Sequence, residues 1–296
     1  MNNVYIRSNI NLKKIILTYI LALTPLLLAG FYKNGIKLYI DDYVSLSLMF
    51  KPLILDILGF GIGLFVNLIY DKVIKKEKGS VFSSFHPLYG LLIASIISIN
   101  TNILLFIGVT FIVLFISKFI KNLNINVVAV AALIIIFITK YSNGFTFLNI
   151  YEQTNKLSLN SLDYLIGRGS GGINTTHVLL LVLSLIILCK QNYYKKEIPL
   201  YSTIVYSISM LGYCIFNNNI GTIFDNIFTN GILFSFVFIG TDSLSSSYTS
   251  KGKIVYSVIL GLVTFGLYLI YPPLSSIGGI LIASICHITI DRLCER

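Results

Sequence analysis

Residues 240–253 carry a dense set of side chains that could do chemistry. The segment reads Gly-Thr-Asp-Ser-Leu-Ser-Ser-Ser-Tyr-Thr-Ser-Lys-Gly-Lys and follows an apolar run directly. Hydroxyl and backbone N–H groups beside lysines can hold a phosphate or a carbonyl-rich ring. Asp242, Thr249, Lys251 and Lys253 are therefore candidate cofactor-binding residues. The alternative is an ordinary polar turn whose lysines only mark one side of a membrane.

A second polar stretch covers residues 140–173 and is rich in Asn, Ser, Thr and Gly. A connection of this length is usually functional or disordered. It ends in a glycine-rich turn, and Thr175 and Thr176 stand where the next apolar helix is predicted to open. Because a helix N-terminus offers free N–H groups to an anion, both threonines are further candidates for cofactor binding.

Several common kinds of site are not indicated. The sequence has no P-loop, no GxSxG elbow and no HExxH motif, so we expect no direct binding of NADH or ATP. The three histidines lack metal-ligand spacing and the four cysteines form no CxxC pair, so we expect no metal site. The basic residues are not gathered on one soluble face with interleaved aromatics, which argues against nucleic-acid binding.

The composition sets the kind of scaffold that must position these residues. Only 11% of residues are charged, 55% are hydrophobic and the mean hydropathy is +0.84, whereas about a quarter of a soluble domain is charged. At about 20 residues per crossing, the sequence predicts an all-α polytopic integral membrane protein of about ten transmembrane helices. The predicted spans are residues 14–32, 52–70, 86–99, 102–117, 125–139, 174–189, 198–216, 222–240, 254–271 and 275–290. The shorter ones are expected to be tilted or buried among their neighbours.

The basic residues predict the orientation. With a cytoplasmic N-terminus, 16 of the 22 Lys and Arg residues fall on the inner side and 6 on the outer side, as the positive-inside rule requires. Both termini are then cytoplasmic. The chain reads as a single integral membrane domain with a first half over about 1–139, an external loop over 140–173 and a second half over 174–296. Five spans on each side of the loop suggest two five-helix halves, as in many transport folds.

Five stretches carry a resemblance to a known family. One of them, residues 162–176, looks like Leu-Asp-Leu-Phe-Leu-Gly followed by Gly-Ser-Ile-Gly-Glu-Thr-Ser. Segment 240–257 is similar to a signature in which an apolar span ends in Thr-Asp-Pro, followed by Thr-Ser-Pro and a Gly-Arg or Gly-Lys pair. The closing Ile-Thr-Ile-Asp-Arg-Leu (288–293) resembles Pro-Leu-Ile-Asp-Arg-Tyr, Leu-Asn-Ile-Asn (123–126) stands where the family has Phe-Asn-Pro-Ala, and residues 16–35 are similar to its first helix. The family comprises the D subunits of Rnf electron-transport complexes and the B subunits of the sodium-pumping NADH:quinone oxidoreductase. The chain looks like a divergent member.

The resemblance implies flavin chemistry. Family members hold flavin, in one case FMN linked through a phosphoester to a threonine in a motif close to Asp-x-x-Ser-Gly-Ala-Thr on the external face. Here Gly144 and Thr146 match that motif, which makes Thr146 the candidate for covalent FMN. Lys140 stands in place of the Asp and Phe145 in place of the Ala. The alternatives are that the linkage is lost, or that riboflavin or FMN is bound non-covalently near the segment 240–253.

The function implied is that of a membrane subunit in an Rnf-type complex, which relays electrons through flavin coupled to Na⁺ or H⁺ movement. Such a subunit works only with other Rnf-type subunits, in the bacterial cytoplasmic membrane, and is not an enzyme alone. Asp56, inside the second apolar run, is either a coupling-ion ligand or an interfacial carboxylate. Two rival functions remain: a stand-alone permease for a small solute or flavin, and a flavin-free structural subunit.

Overall fold

The computed structural model describes residues 11–74, 76, 82–120, 124–143 and 159–295. Every regular element in these ranges is helical. In chain order the main helices are α1 (Leu12–Ile40), α2 (Lys51–Ile74), α3 (His86–Ile96), α4 (Ile103–Phe119), α5 (Val127–Asn143), α6 (Ser161–Ile166), α7 (Val178–Cys189), α8 (Glu197–Phe216), α9 (Ile223–Phe228), α10 (Ile232–Ile239), α11 (Ser250–Ile270) and α12 (Pro272–Cys294). Helices α1 and α2 contain the π-helical turns Tyr32–Ile36 and Tyr70–Ile74.

Five of these helices, α1, α2, α8, α11 and α12, are long and apolar enough to cross a membrane. The pair α9 and α10, bent by 46° at its break, makes a sixth candidate, and α3, α4, α5 and α7 are shorter apolar helices. Each predicted span thus corresponds to a helix or to the bent pair, and the predicted polytopic all-α class is confirmed. The chain is a multi-pass membrane protein.

Local sequence explains where several helices begin and where one span breaks. Proline stands in the first turn of α2, α3 and α12, at a position where its missing N–H costs no hydrogen bond. Between α9 and α10, Asn230 and Gly231 have φ angles of 55° and 66°. These left-handed residues cannot continue a right-handed helix, so the apolar run 222–240 forms two helices rather than one.

Helix α3 is surrounded by protein along its whole length. All eleven of its residues are buried, and a helix of this length rises only about 16 Å, roughly half of the hydrocarbon core. Its contact with α2 is very close, because a Cβ added at Gly59 would meet the carbonyl oxygen of Gly90. Gly61, on the same helix, has no atom near its Cβ position. Gly59 is therefore required for the close approach of the two helices, whereas Gly61 is not.

A buried segment without helical structure lies between the two halves. Residues 172–176 are all buried, and the backbone N–H groups of Ile173 and Asn174 donate to the carbonyl oxygens of Ile97 and Ser95, both at 3.0 Å. The Asn230 N–H, at the break between α9 and α10, donates to Ser170 at 2.9 Å. Irregular backbone inside a membrane protein is tolerated only where protein or a water-filled cavity supplies such partners. The loop of residues 168–177, which contains this buried segment, is called the inserted loop below.

Candidate functional site

The carboxylate of Asp242 joins the two halves of the chain. Asp242 follows the end of α10, and its Oδ1 accepts a hydrogen bond of 2.8 Å from the hydroxyl of Tyr89 on the buried helix α3. Its Oδ2 accepts from Ser245 Oγ at 2.7 Å. Both carboxylate oxygens therefore have donors from the protein.

Asn126, just before α5, fixes the same region from the other side. Its Nδ2 donates to the Ile239 carbonyl at 3.0 Å and to Ser245 Oγ at 2.9 Å, and its Oδ1 accepts from the Ala129 N–H at 2.9 Å. Asn126 is almost fully buried, with 2% of its surface exposed. One amide side chain thus ties the start of α5 to the end of α10 and to the loop that carries Asp242.

Two cavities meet at Tyr89 and Asp242, since both residues line each of them. The first, called the slot, encloses about 60 Å³ and has the aromatic side chains Tyr19, Phe85 and Phe238 in its walls. The hydroxyl of Tyr193, which also lines the slot, is buried and has no hydrogen-bond partner among the described residues. An orphaned buried hydroxyl costs free energy unless a ligand or water satisfies it.

The second cavity, called the chamber, encloses about 300 Å³, at the lower end of the range for small-molecule sites. Polar groups dominate one wall: His86 Nε2 and Ser117 Oγ lie 2.9 Å apart, and His86 Nδ1 is 2.7 Å from Ser84 Oγ. Lys118 adds an ammonium group to the lining, opposite in charge to Asp242. The chamber combines hydrogen-bonding groups with one cation and one anion.

The other residues predicted beside Asp242 lie elsewhere. Thr249 Oγ1 donates to Asp291 at 2.8 Å and accepts from the Gly252 N–H at 3.1 Å, so this hydroxyl caps α11. Lys253 pairs with Glu197 at 3.6 Å. Lys251 is exposed. None of these three lines the slot or the chamber.

Asp291, in the closing Ile-Asp-Arg stretch, holds the segment 247–249 against α12. Its carboxylate accepts from the hydroxyls of Ser247 and Thr249 and from the backbone N–H groups of Tyr248 and Thr249, the latter two at 3.2 Å. The two most specific pieces of the family resemblance are therefore one structural unit. The loop that carries Asp242 is anchored at its far end by Asp291.

Lys195, between α7 and α8, supports the same loop. Its Nζ donates to the carbonyl oxygen and to Oγ of Ser246 at 2.8 and 2.7 Å, and Ser246 Oγ donates to the Asp242 carbonyl at 2.5 Å. Burial lowers the pKa of Lys195 to about 8, and the nearby Asp242 carboxylate opposes that shift.

A second cluster of polar side chains lies at the other end of α3. It consists of Asp56, Ser95 and Asn174 and is called the Asp56 cluster. The amide nitrogen of Asn174 donates to both Asp56 oxygens at 2.9 and 3.1 Å and approaches Ser95 Oγ at 3.2 Å. Asp56 and Asn174 are 7% and 0% exposed. The inserted loop therefore brings an amide to a carboxylate that would otherwise stand unpaired in apolar surroundings, where an isolated charge is costly.

Thr175 and Thr176 belong to the inserted loop and are buried. Lys33, from α1, donates to Thr176 Oγ1 at 3.0 Å and to the Gly169 carbonyl at 2.7 Å. Thr175 Oγ1 donates to the Gly172 carbonyl at 3.2 Å. Their hydroxyls serve the packing of this loop, and helix α7 begins only at Val178.

Gly144 and Thr146, the candidate FMN attachment residues, lie outside the described residues. The described range 124–143 ends just before them with α5, whose last turn contains Lys140. The Lys140 ammonium lies 3.7 Å from the centroid of the Tyr271 ring, at the junction of α11 and α12. Lys140, which stands where the family motif has an Asp, is thus held against the second half of the chain.

Within the described ranges, no three His, Cys, Asp or Glu side chains converge as metal ligands would. Tyr89, Asn126, Lys118 and Lys195 were not predicted as site residues. Of these four, only Asn126 could have been suspected from the sequence, because it lies in the stretch 123–126 that resembles the family. The other three come from distant parts of the chain and meet Asp242 or its cavities only in three dimensions.

The comparison with protein families agrees with this architecture. The chain matches the family described as NQR2, RnfD, RnfE over residues 1–296. No curated protein matches it. Since the match covers the whole sequence, the chain belongs to the NQR2, RnfD, RnfE family.

Proposed function

We propose that this chain relays electrons through flavin across the membrane, coupled to movement of Na⁺ or H⁺. Its family makes it a membrane subunit of an Rnf- or Nqr-type complex of several subunits. The observation that carries the proposal is the Tyr89–Asp242 contact, at which the slot and the chamber meet. A flavin, when bound, would supply electron transfer at a potential set by the surrounding groups.

The chamber has the groups that a flavin requires. An isoalloxazine ring presents N–H and carbonyl groups along one edge, and its reduced form carries negative charge. Asp242 can accept from such an N–H, and Lys118 can donate to a carbonyl and balance the added charge. These residues would hold and orient the ring, and the aromatic slot behind Tyr89 would keep bulk water from that side.

Helix α3 connects this site to the Asp56 cluster. Tyr89 and Ser95 are six residues apart, which corresponds to about 9 Å of helix rise. A flavin bound beside Tyr89 and the buried carboxylate of Asp56 could influence one another electrostatically over such a distance. The low dielectric constant of the protein interior strengthens such interactions. In this proposal Asp56 takes part in ion or proton movement, and Asn174 adjusts to its charge state.

Covalent FMN at Thr146 is a separate part of the proposal. It rests on the position of Gly144 and Thr146 directly after α5 and on the family resemblance of that segment. We place this face outside the cytoplasm and both termini inside, in the bacterial cytoplasmic membrane, on the basis of the lysine distribution. A cysteine at Asn143, in a background without the four native cysteines, should react with an impermeant label from outside.

The test is flavin analysis of the complex purified from its own membranes. A fluorescent band after denaturing electrophoresis, with the mass of FMN minus water on this chain, supports the covalent link, and Thr146→Ala should abolish both. Flavin released by denaturation should fall with Lys118→Gln and Asp242→Asn, and remain with Lys251→Gln, since Lys251 lines neither cavity.

Each remaining outcome favours one rival. A chain without flavin in a complex whose activity survives all these substitutions is a structural subunit. A colourless chain that moves a solute into vesicles when purified alone is a permease. Either result would overturn the proposed relay.

A further inference from the structure

A groove runs between the start of α1 and the end of α7, about 450 Å³ in volume. Its lining includes Lys13, Lys14, Leu17 and Leu21 from α1 and Ile187 and Gln191 from the end of α7 and the residues after it. The groove is distinct from the slot and the chamber. It opens on the outer surface of the helix bundle, where a membrane protein meets lipid.

One side of the groove is an amphipathic stripe. Lys13, Leu17 and Leu21 follow one another at intervals of four residues and therefore lie above one another on one face of α1. Leu17 and Leu21 are 46% and 59% exposed, and Ile187 faces them from α7. The polar end of the groove thus passes directly into an apolar channel.

The polar end has the charge that an anion requires. Lys13 and Lys14 are exposed, and neither forms an ion pair within the described part of the chain. Among the described residues, no acidic side chain lines the groove. Both lysines stand in the first turn of α1, where the positive end of the helix dipole also favours a negative group.

We propose that this groove binds an anionic phospholipid, with the phosphate against Lys13 and Lys14 and an acyl chain along Leu17, Leu21 and Ile187. A basic pocket between helix ends at the membrane surface is a known form of lipid recognition. A soluble phosphate would use only the polar end and leave the apolar channel uncovered. The inference goes beyond the redox role and does not depend on it.

Native mass spectrometry of the purified full-length chain tests the proposal. Phosphatidylglycerol should bind more tightly than phosphatidylcholine of the same chain length. The double variant Lys13→Gln, Lys14→Gln should weaken phosphatidylglycerol binding about 25-fold, since one lysine near an anionic lipid contributes about fivefold. The matched control removes two exposed lysines elsewhere, Lys72→Gln with Lys76→Gln, and should leave the affinity unchanged.

Competition with further ligands distinguishes binding of a lipid from binding of a free anion. Lysophosphatidylglycerol, with one acyl chain, should compete for the site, whereas inorganic phosphate and glycerol phosphate should not. Equal loss of binding in both double variants would mean a general attraction to the basic surface. Effective competition by inorganic phosphate would mean an anion site without a lipid. Either of these two results would overturn the proposal.

Discussion

The hydroxyl of Tyr89 donates to Oδ1 of Asp242 at 2.8 Å, although 153 positions separate the two residues in the sequence. This bond connects the buried helix α3 of the first half with the loop that follows α10 in the second half. It also stands at the boundary between the slot and the chamber. A change at either residue should therefore affect both the stability of the bundle and the binding of a ligand in the slot or the chamber.

Replacing Tyr89 by Phe tests this bond. The ring stays in place and only the donor is lost, so we expect a decrease in the free energy of unfolding of about 1.5–3 kcal/mol, typical of a hydrogen bond to a charged group. Thermal unfolding in detergent measures the change. Tyr193→Phe is the matched control: its hydroxyl has no partner in the described structure, so that variant should be as stable as the wild type or slightly more stable.

Asp291→Asn should disrupt the anchor of the segment 247–249. The new amide presents an NH₂ group to a site made of donors, because two hydroxyls and two backbone N–H groups point at this side chain. We expect a loss of about 2–3 kcal/mol and faster proteolysis between α10 and α11. Asp41→Asn, at an exposed position directly after α1, should change neither. Equal stability of both variants would contradict the anchoring role.

The glycines of α2 allow a paired test of helix packing. Gly59→Ala places a methyl group against the Gly90 carbonyl, so α2 and α3 must separate, and we expect a loss of more than about 2 kcal/mol. Gly61→Ala meets open space and should be neutral or stabilise the helix by up to about 1 kcal/mol. Denaturation of both variants in the same detergent measures the difference.

Lys195 predicts a pH dependence. Its pKa in the folded chain is about 8 because burial disfavours the ammonium, whereas the ordinary value is 10.5. Between these values the unfolded chain binds more protons than the folded one, so stability rises with pH in this window and is lost as the pH falls through about 8. The Tm of the wild type, relative to Lys195→Gln, should therefore increase from pH 7 to pH 10. Parallel Tm curves for the two proteins would contradict the shifted pKa.

The order of the helices could largely be predicted from the lengths of the apolar runs, whereas helix breaks and boundaries depended on tertiary contacts. The run 222–240 looks continuous by hydropathy, yet Asn230 and Gly231 break it. This Asn-Gly pair is a turn signal that the sequence already contained. The start of α7 was also misplaced, because the predicted span begins at residue 174 and the helix begins at Val178. Residues 172–176 stay outside the helix, and the N–H groups of Ile173 and Asn174 bond instead to carbonyl oxygens at the end of α3.

The site could be predicted only in part, for a similar reason. Asp242 stood out as an acid among hydroxyls, and the structure places it at the two cavities. Thr249 and Lys253 looked equally suitable, but Thr249 caps α11 and Lys253 forms an ion pair with Glu197. Local sequence cannot distinguish a hydroxyl that caps a helix from one that faces a ligand. Tyr89 carries no local signal, because its importance arises from a partner in the other half.

The pairing of the inserted loop with α3 has a consequence for biogenesis. The ribosome makes Asp56 and Ser95 well before Asn174, whose side-chain amide and backbone N–H later donate hydrogen bonds to them. Unpaired polar groups in hydrocarbon cost several kcal/mol each. We therefore expect the early helices to remain with the translocon or with water until the later segment is synthesised. Two separately translated halves should then assemble poorly.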